Sequence, residues 1–200
     1  MHIVIPKITY SKTEDIEVRK HAFDVLQICI DCNKGISKYA TESDISSVIS
    51  SSLSYEDLEL QMKVIKFLSS VICYISNKST INFLQLEVFE EIFKFGKKGT
   101  NMRREVIYFL CNVSSFDPPV IIKLISKEYF RVINELFKEV HSFSKGLLLS
   151  ALWAIFTKAR SKSYLIEREM TKEYLKAEGM EIIKKLEKSQ HKGIRERVIV

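Results

Sequence analysis

The sequence predicts an all-α solenoid, and three observations carry that reading. The 200 residues are 46% hydrophobic, enough to bury a core. Only 6 Gly and 3 Pro are present, too few for the many tight turns of an all-β chain. A long amphipathic segment recurs at a nearly constant step. Asp24, Lys66, Tyr108 and Trp153 occupy one column of the aligned copies, separated by 42, 42 and 45 residues.

The copies justify themselves in order. Each opens on an acidic or polar turn and continues for about three helical turns with apolar residues on one face. The first runs from Thr13 to Ile28, the second from Tyr55 to Ser70, the third from Thr100 to Asn112 and the fourth from Gly146 to Thr157. A fifth begins at Lys192, and the sequence predicts that the chain stops inside it at Val200. Between them lie medium helices: Val88, Phe89, Ile92 and Phe93 form one apolar stripe, and Phe130, Ile133, Leu136 and Phe137 another. Met180, Ile183 and Leu186 suggest a third. Short leading helices are expected at Pro119–Ile125 and Thr171–Glu178, with Gly179 as a turn. Asp117-Pro118-Pro119 separates two repeats, since proline fits only the first turn of a helix. A period near 40–47 residues built from short, medium and long helices is the armadillo/HEAT plan. The expected architecture is one right-handed superhelical solenoid over residues 1–200. Its approximate repeats are 1–33, 34–78, 79–115, 116–160 and 161–200, the first and last incomplete.

Chemistry of other kinds finds little support. Cys29 and Cys32 form a lone CxxC within a helix, without the second pair of a zinc site or the βαβ setting of a redox motif. Cys73 and Cys111 read as small buried hydrophobes. His2, His21, His141 and His191 are isolated, and Gly96-Lys97-Lys98-Gly99 is too short for a phosphate loop. A binding scaffold without cofactor or metal is expected, not an enzyme. The most apolar stretch, Gly146–Phe156, is about half of what a bilayer span requires. The N-terminus lacks signal-peptide features, the Asn77 sequon is read as empty, and the cysteines as reduced.

The net charge is +6. Two basic clusters stand out: Lys97, Lys98, Arg103 and Arg104 around a turn, and Lys184, Lys185, Lys188, Lys192, Arg195 and Arg197 near the C-terminus. Glu178, Glu181, Glu187 and Glu196 stand at helical pairing distance and are expected to dilute the second. That disfavours nucleic acid as a partner, leaving an RNA-contacting repeat as the weakest alternative.

Several segments resemble importin-α, the armadillo adaptor of nuclear import. Thr100–Ser115 is similar to the long helix of that family, in which a Trp is followed four residues later by an Asn; here Tyr108 stands for the Trp and Asn112 is the Asn. Ser150–Thr157 keeps Trp153 and replaces the Asn by Thr157, while Lys66 and Ser70 hold the two positions one repeat earlier. In the first copy Asp24, or Phe23 if the register shifts by one, and Ile28 stand there. Pro6–Val18 looks like the opening of a mid-protein repeat and Tyr174–His191 like the closing one, so the chain resembles the C-terminal half of the family. The resemblance implies a concave groove formed by Lys66, Ser70, Tyr108, Asn112, Trp153 and Thr157. There amides would hold an extended peptide backbone and aromatic faces would stack on its Lys and Arg stems. It further implies basic nuclear-localisation segments of cargo as ligands, importin-β and an export factor as partners, and residence in cytoplasm and nucleus. The alternative is a divergent armadillo scaffold that binds no such signal.

Overall fold

The computed structural model describes residues 15–32, 45–74, 86–125 and 128–198. Every regular element among them is α-helical: α1 (Ile16–Cys32), α2 (Ile45–Leu53), α3 (Leu58–Tyr74), α4 (Leu86–Phe95), α5 (Thr100–Val113) and α6 (Pro118–Ile125). Then follow α7 (Tyr129–Glu139), α8 (Ser142–Lys162), α9 (Tyr164–Lys176), α10 (Gly179–Glu187) and α11 (Lys192–Val198). The chain divides into two compact units, Met1–Val88 and Phe89–Val200. The repeat limits expected at 33/34 and 78/79, the Asn77 sequon and the N-terminal segment lie outside the described residues. The limit at 115/116 falls in the turn before α6, and that at 160/161 in the last turn of α8.

In the first unit α3 is the centre, with α1 and α2 packed on it. Leu60, Val64, Ile65, Phe67, Leu68, Val71 and Ile72 give α3 a broad buried face. Phe23 of α1 meets Phe67 edge-on at 5.6 Å. Two cations are buried beside this core, each with partners, as desolvation demands. Arg19 donates to Ser51 Oγ and Ser52 Oγ, both at 3.1 Å, and lies 5.1 Å from the Tyr55 ring centre. Lys20 reaches Glu17, Asp57 and Glu59 at 2.8, 3.0 and 3.2 Å.

Asp57 also caps α3, its Oδ1 accepting from the Leu60 N–H at 2.8 Å. That bond first, and the Lys20 ammonium second, hold the Asp57 carboxyl below its ordinary value. A depressed carboxylate contributes stability above its unfolded pKa and loses it as pH falls through the folded one. Asp57→Ala is therefore expected to cost about 1 kcal/mol at pH 7. Urea unfolding followed across pH should show the gap to the wild type closing in acid.

The second unit is organised around an aromatic chain. Phe89 of α4 packs on Phe109 of α5 at 5.5 Å, and Phe93 on Tyr129 of α7 at 6.0 Å. Tyr129 touches Phe130, which stacks parallel to Phe156 of α8 at 5.9 Å and meets Tyr174 of α9 at 5.1 Å. The stripes expected on α4 and α7 are buried. Asn134 Nδ2 donates to the Ala177 carbonyl at 2.6 Å, tying α7 to the turn after α9. Glu128 and Glu178, the residues before the medium helices α7 and α10, both take a left-handed conformation (φ 68° and 62°). The repeat is thus visible in the backbone as well as in the side chains.

Several local expectations change. Residues 118–162 form helices of 8, 11 and 21 residues, the expected short-medium-long order, but α9 has 13 residues and α10 only 9. Ser163 starts α9 at Tyr164, seven residues before Thr171, by accepting from the Leu165 N–H at 3.2 Å. Tyr164 and Leu165 are exposed, so no apolar periodicity marked that turn. On α10 the buried stripe is Gly179, Ile182 and Leu186, whereas Met180 is exposed. Gly179 is not the left-handed turn residue; Glu178 is. Cys73 is exposed, not buried, and Cys111 is half-buried.

Candidate functional site

The face that the repeat alignment singles out lies, in the second unit, on α5 and α8, which pack against each other. Cys111 Sγ approaches the Leu147 carbonyl at 3.6 Å, and Lys158 Nζ donates to the Ser115 carbonyl. Both contacts advance in the same sequence direction, so the helices run parallel. Each helix buries one side: Met102, Val106, Ile107, Phe109, Leu110 and Val113 on α5, and Leu148, Leu149, Ala151, Leu152, Ile155 and Ala159 on α8.

The opposite side is open. On α5 it carries Arg104 and Tyr108, and half-buried Asn112 one turn further on. On α8 it carries Ser150, Trp153, Thr157 and Arg160. Trp153 is 59% and Tyr108 39% exposed. An indole so exposed is not a core residue, although a lone Trp in an apolar helix usually is. Tyr108/Asn112 and Trp153/Thr157 are i, i+4 pairs and share a helix face. Burial pushes the neighbouring Cys111 thiol up to about 11, so it is no nucleophile at neutral pH.

Lys66 and Ser70 belong to the first unit. Lys66 is exposed on α3, while Ser70 Oγ is engaged by Gln27 Nε2 of α1 at 2.8 Å. Asp24 is paired with Lys63 at 2.7 Å, and Ile28 is exposed.

Sequence reasoning singled out Arg104 in the first basic cluster but missed the charges that join it on the α5/α8 face. Arg104, Lys158 and Arg160 stand on it, and Glu105, mostly buried, pairs with Arg104 at 3.4 Å. Each is an ordinary helix-surface residue in sequence, and only the packing of the two helices assembles them. Arg160 also borders a shallow depression of about 860 Å³ with Tyr164, Arg168, Lys172 and Leu175. Two members of the first basic cluster are neutralised by residues far along the chain: Lys97 pairs with Glu135 at 3.1 Å and Arg103 with Glu139 at 2.6 Å. Lys98 lies over the Phe95 ring. Among the described residues no group of three or more His, Cys, Asp or Glu could hold a metal ion. No described helix is long and apolar enough to cross a membrane.

No protein-family model matches the sequence, and no curated protein matches it significantly. Solved structures do match. A designed armadillo repeat protein in complex with the peptide (KR)4 superposes with a TM-score of 0.77 at 13% identity, covering 94% of this chain and 75% of that one. Computationally designed armadillo repeat proteins for modular peptide recognition give 0.76 at 12% identity, covering 94% and 76%. An engineered protein from a structural genomics consortium gives 0.76 at 18% identity, covering 94% and 72%. The fold is the all-α armadillo-type repeat solenoid.

Proposed function

We propose that this chain is a non-enzymatic protein-interaction scaffold whose open α5/α8 face holds an extended peptide segment. The observation that carries the reading is the exposure of Trp153 and Tyr108 at equivalent positions of two parallel, adjacent helices. Their flat faces suit the aliphatic stem of a ligand side chain at low entropic cost. Asn112 and Thr157, one turn on, supply groups able to hydrogen-bond a peptide backbone without reading its sequence. The (KR)4 complex of one structural neighbour supports a peptide as the type of ligand.

The import-signal form of this reading takes its support from the resemblance of the long helices to importin-α. Cargo with basic localisation segments, importin-β, an export factor and a cytoplasmic and nuclear location all follow from it. Glu105, one turn before Tyr108, is the carboxylate that could meet a ligand lysine. Arg104, Lys158 and Arg160 oppose it, so basic peptides should bind weakly and with marked salt dependence.

Fluorescence anisotropy with a labelled basic import-signal peptide and a labelled acidic one tests both levels. Trp153→Ala should raise Kd at least about tenfold, some 1.4 kcal/mol, for whichever peptide binds, with the unfolding midpoint unchanged. Saturable binding of the acidic peptide alone would keep the scaffold and remove the import form. Binding of neither, or binding indifferent to Trp153→Ala, would overturn the scaffold face itself.

A further inference from the structure

The C-terminal lysines that the repeat plan leaves unused are not neutralised as their sequence neighbours suggest. Glu181 and Glu187 stand at helical spacing, yet Lys184, Lys185 and Lys188 form no ion pair among the described residues. Lys185 instead borders a depression of about 340 Å³ with Lys138 of α7 and Lys145 of the first turn of α8. Phe137, Ile182 and Leu186 make its apolar floor, each nearly fully buried, and Ser189 stands at its edge. None of the three lysine ammonium groups has a hydrogen-bond or ion-pair partner among the described residues, and no carboxylate lines the space.

A second depression of nearly equal size, about 380 Å³, shows what a self-neutralised surface of this chain looks like. Lys94, Lys97 and Arg131 line it together with Glu90, Glu128 and Glu135. There Lys97 pairs with Glu135 at 3.1 Å, and Arg131 pairs with Glu128 and Glu135. Three cations against three carboxylates need no ligand. Three cations around a concavity with no carboxylate repel one another, and an anion relieves that repulsion.

We infer that Lys138, Lys145 and Lys185 form a binding site for a small ligand carrying two or more phosphate groups. A lysine ammonium is a compact charge with three donors on a flexible stem, suited to phosphate oxygens presented from several directions. The volume lies at the small end of ligand sites, and the three lysines gather around one depression, whereas a nucleic-acid track needs a continuous basic stripe. None of the lining residues belongs to the peptide-holding strip, so the site is independent of that function. A free polyphosphate and a phosphorylated lipid headgroup present the same chemistry to it.

Isothermal titration of the full chain with inorganic tripolyphosphate should give saturable one-to-one binding. The triple variant Lys138→Gln/Lys145→Gln/Lys185→Gln should weaken it at least about tenfold. The charge-matched control Lys94→Gln/Lys97→Gln/Arg131→Gln should leave it unchanged. Flotation with phosphatidylcholine vesicles containing a phosphatidylinositol bisphosphate separates the sources: binding competed by tripolyphosphate points to the headgroup, titration without flotation to a soluble ligand, and both support the site. Absence of saturable binding, or an equal loss in the control variant, would overturn it. So would tighter binding of single-stranded oligonucleotides that grows with their length, which would make these lysines part of a nucleic-acid track.

Discussion

Tyr129→Ala is expected to lower the stability of the second unit by about 3–5 kcal/mol, the range for removing a fully buried aromatic ring. Tyr129 has no exposed surface, and its ring touches Phe93 of α4 and its own neighbour Phe130. Phe130 in turn contacts Phe156 and Tyr174, so one side chain couples α4 and α7 to the packing of α8 and α9. The cavity left by alanine would be lined by large rigid rings that collapse poorly into it. The hydroxyl adds a smaller share by donating to the Leu110 carbonyl at 3.0 Å. That carbonyl also accepts from the Ser114 N–H, so Tyr129→Phe leaves it with one partner and should cost only about 0.5–1 kcal/mol. Urea unfolding of the full chain with both variants separates the terms. A loss below about 1 kcal/mol for alanine would mean that the aromatic chain is not what holds these helices together.

The parts of this fold that were legible in sequence are those whose side chains repeat with the helix. Phe89/Ile92/Phe93 and Phe130/Ile133/Leu136/Phe137 mark α4 and α7 because both helices bury a full apolar face in the unit. The start of α9 was not legible, because Tyr164 and Leu165 are apolar residues turned outward and the signal is a single serine cap. The register of α10 slipped by one position because a glycine counts as no hydrophobe yet occupies the buried stripe. Charge was the least legible property. Spacing of three or four residues establishes that two side chains can meet, and the glutamates near Lys184, Lys185 and Lys188 do not use that option. Arg103 and Lys97 find Glu139 and Glu135, more than thirty residues on, through the packing of α7. In the second unit the column residues Tyr108 and Trp153 mark the open face of two adjacent long helices, but what surrounds them depends on helix-to-helix contacts that no single segment encodes.

Gly179→Ala is the second large effect, expected to cost about 2–3 kcal/mol as overpacking in a site without slack. A Cβ placed there would lie 2.3 Å from Tyr174 Cε1 and 2.4–2.5 Å from two further atoms of the ring, far inside van der Waals contact. The ring cannot swing away freely. It is held between Phe130 at 5.1 Å and Phe156 at 5.6 Å, and its hydroxyl is buried without a hydrogen-bond partner. The gain in helix propensity of alanine over glycine, up to about 1 kcal/mol inside a helix, is small at the first residue of α10 and does not offset the clash. Because the collision is with ring carbons, Tyr174→Phe should not rescue Gly179→Ala. By itself Tyr174→Phe should be neutral or slightly stabilising, since it removes an unsatisfied buried hydroxyl. Tyr174→Leu should rescue, and the double variant should then be more stable than the sum of the two single losses predicts, by 1 kcal/mol or more. A purely additive cycle would mean that the Tyr174 ring is not what excludes a Cβ at position 179.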